Sequence, residues 1–285
     1  MINNPMQFGG LNVSYKDAEI AILPVPYEGT VTYRKGTWKG PEAIIGASVN
    51  VETYDFLTGY DYSTIKAATL EAIEPGLGTP ENVVQKIEKR VTEILSDGKT
   101  PFIFGGEHSV TPPAVRAVAA MHDIGVVQID AHADLRDKYG GTKHSHACTM
   151  ARVRETAPAV QIGIRSCSIE EGERIKREGL AVLGVDETLE GGNFRSALDA
   201  LPGKVYLTID VDGIDPSIMP STGTPEPGGF NWKEITRIVR TVGETKKIVC
   251  ADIVELSPIE GLHAPDFVAA RLAFCVLAEM ADMAK

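Results

Sequence analysis

Short, continuous apolar runs rich in Val and Ile recur at 19–25 (EIAILPV), 101–104 (PFIF), 124–129 (IGVVQI), 159–164 (AVQIGI), 181–185 (AVLGV), 204–211 (KVYLTIDV) and 247–254 (KIVCADIV). Runs this short and apolar on both sides predict strands covered on both faces, the pattern of a parallel sheet. Between the first two lies a helix. Thr79 is its N-cap and Pro80 its first residue; Val83, Val84, Ile87, Val91, Ile94 and Leu95 share one face, and Gly98 stops it. Amphipathic patterns also follow Pro113, cover 169–178 and run from Trp232 to Val242, and a last apolar helix is expected from Asp266 to about Met283. The rhythm is β-α-β. No repeat, low-complexity tract or linker interrupts it, so a single α/β domain over residues 1–285 is expected. The segment 25–50, rich in Gly, Pro and aromatic residues, is expected to be a long loop.

Composition narrows the partners. No run of eighteen apolar residues is present, and the first twenty residues lack a basic stretch followed by an apolar block, so a cytoplasmic protein is expected. The four cysteines, Cys148, Cys167, Cys250 and Cys275, form no C-x-x-C pair, which argues for reduced thiols and against a disulfide framework or a zinc site. A net charge of −11 disfavours nucleic acid and acidic membranes and favours small cations and metal ions.

Chemistry begins where polar residues break out of the buried runs. After VVQI comes Asp130-Ala131-His132-Ala133-Asp134, with three metal-capable side chains at a spacing of two, hence on one side of an extended backbone. Asp210 and Asp212 repeat that spacing at the end of LTIDVD, and His108 follows Gly105 and Gly106, which let the backbone approach another group closely. A lone Asp-x-Asp after a strand is more often turn chemistry than a metal site, and a lone His carries no more weight. Together, four carboxylates converging on the ligand-binding edge of an α/β sheet are untenable without cations. Two divalent ions would add four charges and bring the net charge from −11 to about −7. Oxygen-rich ligation with imidazole in the minority, and no thiolate, favours Mn²⁺ over zinc.

The segments GGEHS, DAHADLRD, HSHACT, LTIDVDGIDP, TGTPEPGG and DIVELSPIEG resemble, in order, the motifs of the ureohydrolase family, which includes arginase and agmatinase. They span residues 105 to 261, and GPEAI at 40–44 and the final helix extend the resemblance over nearly the whole chain. It implies a three-layer domain with a central, mostly parallel sheet between helices, and assembly into homotrimers or homohexamers. Its metal ligands fall on His108, Asp130, His132, Asp134, Asp210 and Asp212, and its cofactor would be two Mn²⁺ ions. Glu255 matches the glutamate that pairs with the substrate guanidinium, and His146, rather than His144, the mobile proton-shuttling histidine. Asp134 would pass a proton to the departing amine. His122 and His263 are expected to be ordinary loop or surface residues, and 222–229 a rigid loop over the cleft. The implied reaction is metal-assisted hydrolysis of a guanidino group to urea and a free amine.

Two departures bear on the substrate. Where arginases resembling this chain carry Ser-Gly-Asn-x-His and Arg-Asp-x-Asp, this one has Gly141-Thr142-Lys143-His144-Ser145-His146 and Arg165-Ser166-Cys167-Ser168. The acid that would meet an α-amino group is missing. A small cationic guanidino amine, agmatine or aminopropylagmatine, is therefore favoured, in keeping with polyamine synthesis. The alternatives are an arginase, a guanidinobutyrase, or a formimidoylglutamase-type hydrolase. The last requires a basic pocket residue, for which Lys143 is the nearby candidate. A catalytically silent homologue would lack a ligand, whereas all six are present.

Overall fold

The computed structural model describes residues 6–74, 80–190 and 192–282; Thr79 and Met283, the expected ends of two helices, lie outside them. The apolar runs form strands β1 (Ile20–Val25), β3 (Thr100–Gly105), β4 (Ile124–Ile129), β5 (Ala159–Ile162), β6 (Val182–Leu183), β7 (Lys204–Asp210) and β8 (Lys247–Val254). With β2 (Ala67–Thr69) they make one eight-stranded sheet, ordered β2-β1-β3-β8-β7-β4-β5-β6. Every pairing is parallel. Both faces are covered, which is why the strands are apolar throughout instead of alternating.

Each face has its own core. On one, Phe102, Phe104, Leu207, Ile209 and Ile253 pack with residues of α1 (Gly40–Ser48), α7 (Asn193–Asp199), α8 (Trp232–Thr245) and α9 (Ala264–Met280). On the other, Leu23, Ile103, Val126 and Tyr206 meet α2 (Pro80–Ser96), α3 (Thr111–Ala119) and α4 (Thr149–Val153). The helices α5 (Ile169–Glu178) and α6 (Val185–Leu189) complete the order. α8 begins on a reciprocal cap in which Asn231 and Glu234 bond each other's backbone. The expected three layers and parallel sheet are borne out.

Three differences from the sequence expectations have physical causes. Residues 40–48, expected within a loop, form α1: Pro41 presets the first turn, and Ile44 and Ile45 bury against the core. The strand β2 lacks Val and Ile and is only three residues long; its pairing with β1 defines it, so no periodicity could reveal it. The expected strand 181–185 shrinks to two residues because Val185 already opens α6 behind Gly184.

The glycine pair at the end of β3 does bring backbones together. A Cβ on Gly106 would lie 2.1 Å from the carbonyl oxygen of Tyr27, and one on Gly105 2.7 Å from side-chain carbons of Val110 and Val254. The Gly106 contact is with backbone, which cannot step aside as a flexible side chain would. Gly106→Ala is therefore expected to cost about 2 kcal/mol or more and to lower the thermal midpoint by roughly 5 °C in calorimetry. An unchanged midpoint would show that these strand ends have room to part.

Candidate metal centre

Parallel pairing puts every strand's carboxyl end on the same edge, and the central four strands, β3, β8, β7 and β4, stand side by side. Their ends present His108, Glu255, Asp210 with Asp212, and Asp130 to Asp134, so residues up to 147 positions apart meet there. The Nδ1 of His108 lies 3.1 Å from Asp130, 3.3 Å from Asp134 and 3.4 Å from Asp210. The Nδ1 of His132 lies 2.9 Å from Asp212 and 3.6 Å from Asp130. Asp130 faces both histidines, with Oδ2 toward His108 and Oδ1 toward His132. Two ligand groups that could each hold an ion, His108/Asp130/Asp134 and Asp130/His132/Asp212, thus share one carboxylate.

Hydrogen-bond direction supports a cation between them. Tyr206 and Thr111 donate to Asp252 at 2.6 and 2.7 Å, so the hydroxyl hydrogen of Thr111 is spent there. Thr208 lies 3.4 Å from Thr111 and 2.9 Å from His108 Nε2. One arrangement that satisfies this buried chain has His108 donating from Nε2 to Thr208 and Thr208 donating to Thr111. Nδ1 of His108 then turns a lone pair toward three carboxylates, and it has no hydrogen-bond partner among the described residues. A buried lone pair facing anionic oxygens fits a metal ion.

The electrostatics make the same demand. Burial, then Asp212 and Asp130, pushes Asp210 well above the usual carboxylate range; burial, then Asp130, raises Asp134; and burial, then Glu107, raises Glu255 strongly. Burial alone would push the histidines down, yet the facing carboxylates drive His108 far up and His132 to about 12. Asp130 is held low against its burial by the two imidazoles that face it. With no cation present the cluster takes up protons; a bound ion would replace them.

Local backbone helps to aim the ligands. Asp134 and Glu255 have φ of 51° and 66°, two of only three positive values at non-glycine positions among the described residues. Each costs on the order of 1–3 kcal/mol and turns a strand-end acid into the cleft. Asp210 accepts the amide of Asp212 at 2.9 Å, and Asp212 that of Ala131 at 3.0 Å, tying the β7 and β4 ends together. Arg165 pins the loop above, donating to the backbone oxygens of Asp212, Glu226 and Pro227.

The cleft over these groups has a volume of about 220 Å³, and His146 and Glu255 line it. His144 does not; its ring lies 3.9 Å from Glu81. His263 is 85% exposed, and His122 sits 3.2 Å from Lys204. Lys143, the basic residue anticipated near the pocket, is exposed and off the cleft wall, which carries Arg136 instead. Arg136 stacks 5.0 Å above the Tyr139 ring and lies 3.7 Å from Glu171. A signal for it was available: the spacing of two through 130, 132 and 134 continues to 136. A larger cleft of about 490 Å³ along α8 and α9 holds none of these ligand groups, so chemistry rather than size locates the site.

A parallel sheet with clustered His and Asp side chains at its carboxyl edge defines a class, and the chain belongs to the arginase family, whose sequence model matches residues 18–278. It is 38% identical over 272 residues to N(1)-aminopropylagmatine ureohydrolase of Synechocystis sp., covering 92% of this chain and 89% of that protein. It is 33% identical over 270 residues to agmatinase of Pyrococcus horikoshii, covering 93% of each. The crystal structure of agmatine ureohydrolase of Thermoplasma volcanium superposes with a TM-score of 0.89 at 32% identity, covering 99% of this chain and 97% of that one.

Asp130→Asn is expected to lower bound divalent metal at both ligand groups, read by elemental analysis of the purified protein; wild-type metal content would exclude Asp130 as a shared ligand. Protons and metal compete for the same atoms, so metal affinity should fall as pH is lowered, and chelation should lower the unfolding midpoint. A pH-independent affinity, measured by titration calorimetry, would sink the exchange of protons for metal.

Proposed function

We propose that the chain, acting as a single ureohydrolase domain, is a binuclear manganese amidinohydrolase that releases urea from agmatine or an N-substituted relative such as aminopropylagmatine. The observation that carries this reading is the pair of ligand groups sharing Asp130, with Glu255 buried beside them. Bound metal would supply water activated at neutral pH and a counter-charge for the acids. The ligands would be His108, Asp130, His132, Asp134, Asp210 and Asp212, and the preference for oxygen over imidazole suits Mn²⁺.

The remaining work falls to side chains of this chain. Glu255 Oε1 accepts the amide of His108 at 2.6 Å, which fixes the carboxylate and leaves Oε2 for a planar guanidinium. Its buried setting, which disfavours charge when empty, would favour a cationic substrate that restores neutrality. Asp134 and His146 both line the cleft; Asp134 would hand a proton to the departing amine, and His146 would exchange one with solvent. The net charge of −11 favours a small cation over nucleic acid or membrane. Among the described residues no helix is long and apolar enough to cross a membrane. A cytoplasmic homotrimer or homohexamer completes the reading.

One observation favours a second reading. Arg136 on the cleft wall could meet a substrate carboxylate, as a guanidino acid or formimidoyl acid would require. Its charge is already shared between Glu171 and the Tyr139 ring, and all three relatives above are named for acting on agmatine or its aminopropyl derivative. The amine reading is therefore preferred.

The test is hydrolysis by the manganese-loaded protein of agmatine, aminopropylagmatine, arginine and guanidinobutyrate, read as urea, and of formimidoylglutamate, read as formamide. Urea from either of the first two with arginine inert is expected. Preference for an acid would transfer the assignment to the Arg136 reading. His146→Ala should keep its metal and slow turnover by about 10²-fold or more; loss of metal instead would make it a ligand.

A further inference from the structure

The loop between β1 and α1 is held more firmly than a connecting segment requires. Glu28 Oε2 accepts from the amides of Gly36 and Thr37 and from the Thr37 hydroxyl, at 2.6, 2.7 and 3.0 Å. Arg34 donates to the backbone oxygens of Ser257 and Pro258 at 3.0 and 3.2 Å. Glu107, fully buried, takes four donors: the amides of Gly29 and Thr30 at 2.7 and 2.6 Å, the Thr30 hydroxyl at 2.8 Å and the Ser109 hydroxyl at 2.5 Å. What this frame holds in place is the Thr30 hydroxyl, at the side of His146.

Thr30 Oγ1 has one hydrogen and two lone pairs. The hydrogen goes to Glu107. One lone pair accepts the His146 amide at 3.0 Å, and the other faces His146 Nδ1 at 3.1 Å. With its own hydrogen spent, Thr30 can only accept from that ring nitrogen, so Nδ1 must carry a proton. Ser145 Oγ, at 3.5 Å from Nδ1, is at the limit of a bond and does not compete. Tyr139 stands edge-on to the same ring at 6.3 Å and limits its tilt. Nε2, on the far side of the ring, is left as the nitrogen that gains and loses a proton.

We propose that Thr30, oriented by Glu107, is a positioning residue for proton transfer: it locks His146 with hydrogen on Nδ1 and presents Nε2 to the cleft. The step balances simply. Nε2 takes one proton from within the cleft, the ring becomes imidazolium, and the same nitrogen returns that proton to solvent while Nδ1 keeps its own. Without the lock the ring can carry its hydrogen on either nitrogen, and a fraction of the protein has no acceptor at Nε2. The proposal rests on the reading of His146 as a proton carrier.

The experiment is a double-mutant cycle on the manganese-loaded protein, with urea release, bound metal and the pH profile of kcat measured for Thr30→Val, His146→Ala and the pair. Thr30→Val is expected to lower kcat about tenfold, with KM within twofold and metal unchanged, and to displace the pH dependence of kcat. In the His146→Ala background it should cause little further loss, because the group it serves is gone. Thr30→Ser, which keeps the hydroxyl, should restore wild-type kcat and pH profile. Should Thr30→Val fail to fold or load metal, Thr30→Ala against Thr30→Ser decides the same question. Wild-type kcat and pH profile without the hydroxyl, or equal losses with and without His146, would overturn the role of Thr30 and leave the hydrolase reading standing. Wild-type turnover by His146→Ala would overturn the proton-carrier reading and the proposal with it.

Discussion

Four carboxylates and two imidazoles meet at the carboxyl edge of the central strands, with Glu255 beside them, in surroundings that exclude most water. Such a group is stable only if positive charge lies among its oxygens. The protein meets this demand in either of two ways, with protons on histidine and aspartate or with metal ions, and the polar frame behind the ligands favours the second. The chain from Asp252 through Thr111 and Thr208 to His108 holds the imidazole with Nδ1 forward, toward the carboxylates. A nitrogen so presented, with three carboxylates 3.1 to 3.4 Å away, suits a metal ion and, in its absence, a proton held among the same oxygens.

Rigidity around the site follows from the same constraint. Ligands that repel one another in the absence of metal must be held by something other than their mutual contacts. Strand pairing supplies the positions, positive φ at Asp134 and Glu255 supplies the angles, and backbone amides of His132, Ala131 and Asp212 anchor carboxylate oxygens. Gln161 continues the frame, donating to Gln128, which in turn donates to Asp130. The cost in strain and desolvation is offset by two cores that cover both faces of the sheet.

Above this floor, loops set what can enter. Arg165 ties the 222–229 segment down, the 26–39 segment is fixed by Glu28, Glu107 and Arg34, and Arg136 and Tyr139 close the wall beside His146. The metal floor is chemistry common to the family; the rim is where guanidino amines and guanidino acids would be told apart. Charged rim groups are internally paired, so recognition at the tail of a substrate is a matter of shape and residual charge together.

Much of this was legible in the chain alone. Seven strands, five helices and five of the six candidate ligands followed from apolar patterning and from spacings of two, and His108 from its place after a glycine pair at a strand end, because a buried parallel sheet forces continuous apolar runs and leaves polar residues only at their ends. Composition misled at 40–48, where Gly and Pro count as loop signals although Pro41 begins a helix, and three alanine-rich residues at 67–69 carried no pattern at all. Arg136 was one step along a pattern already in use. Some features lay beyond any local rule. That Asp130 serves two ligand groups, that Thr30 reaches His146 across 116 positions, and that Glu107 braces a distant loop are consequences of strand order. Sequence determines which side chains can bind a metal or carry a proton, since that is a property of the residue and its immediate neighbours. Which of them meet, and through which atom, depends on β3, β8, β7 and β4 becoming neighbours, and only burial of both sheet faces decides that.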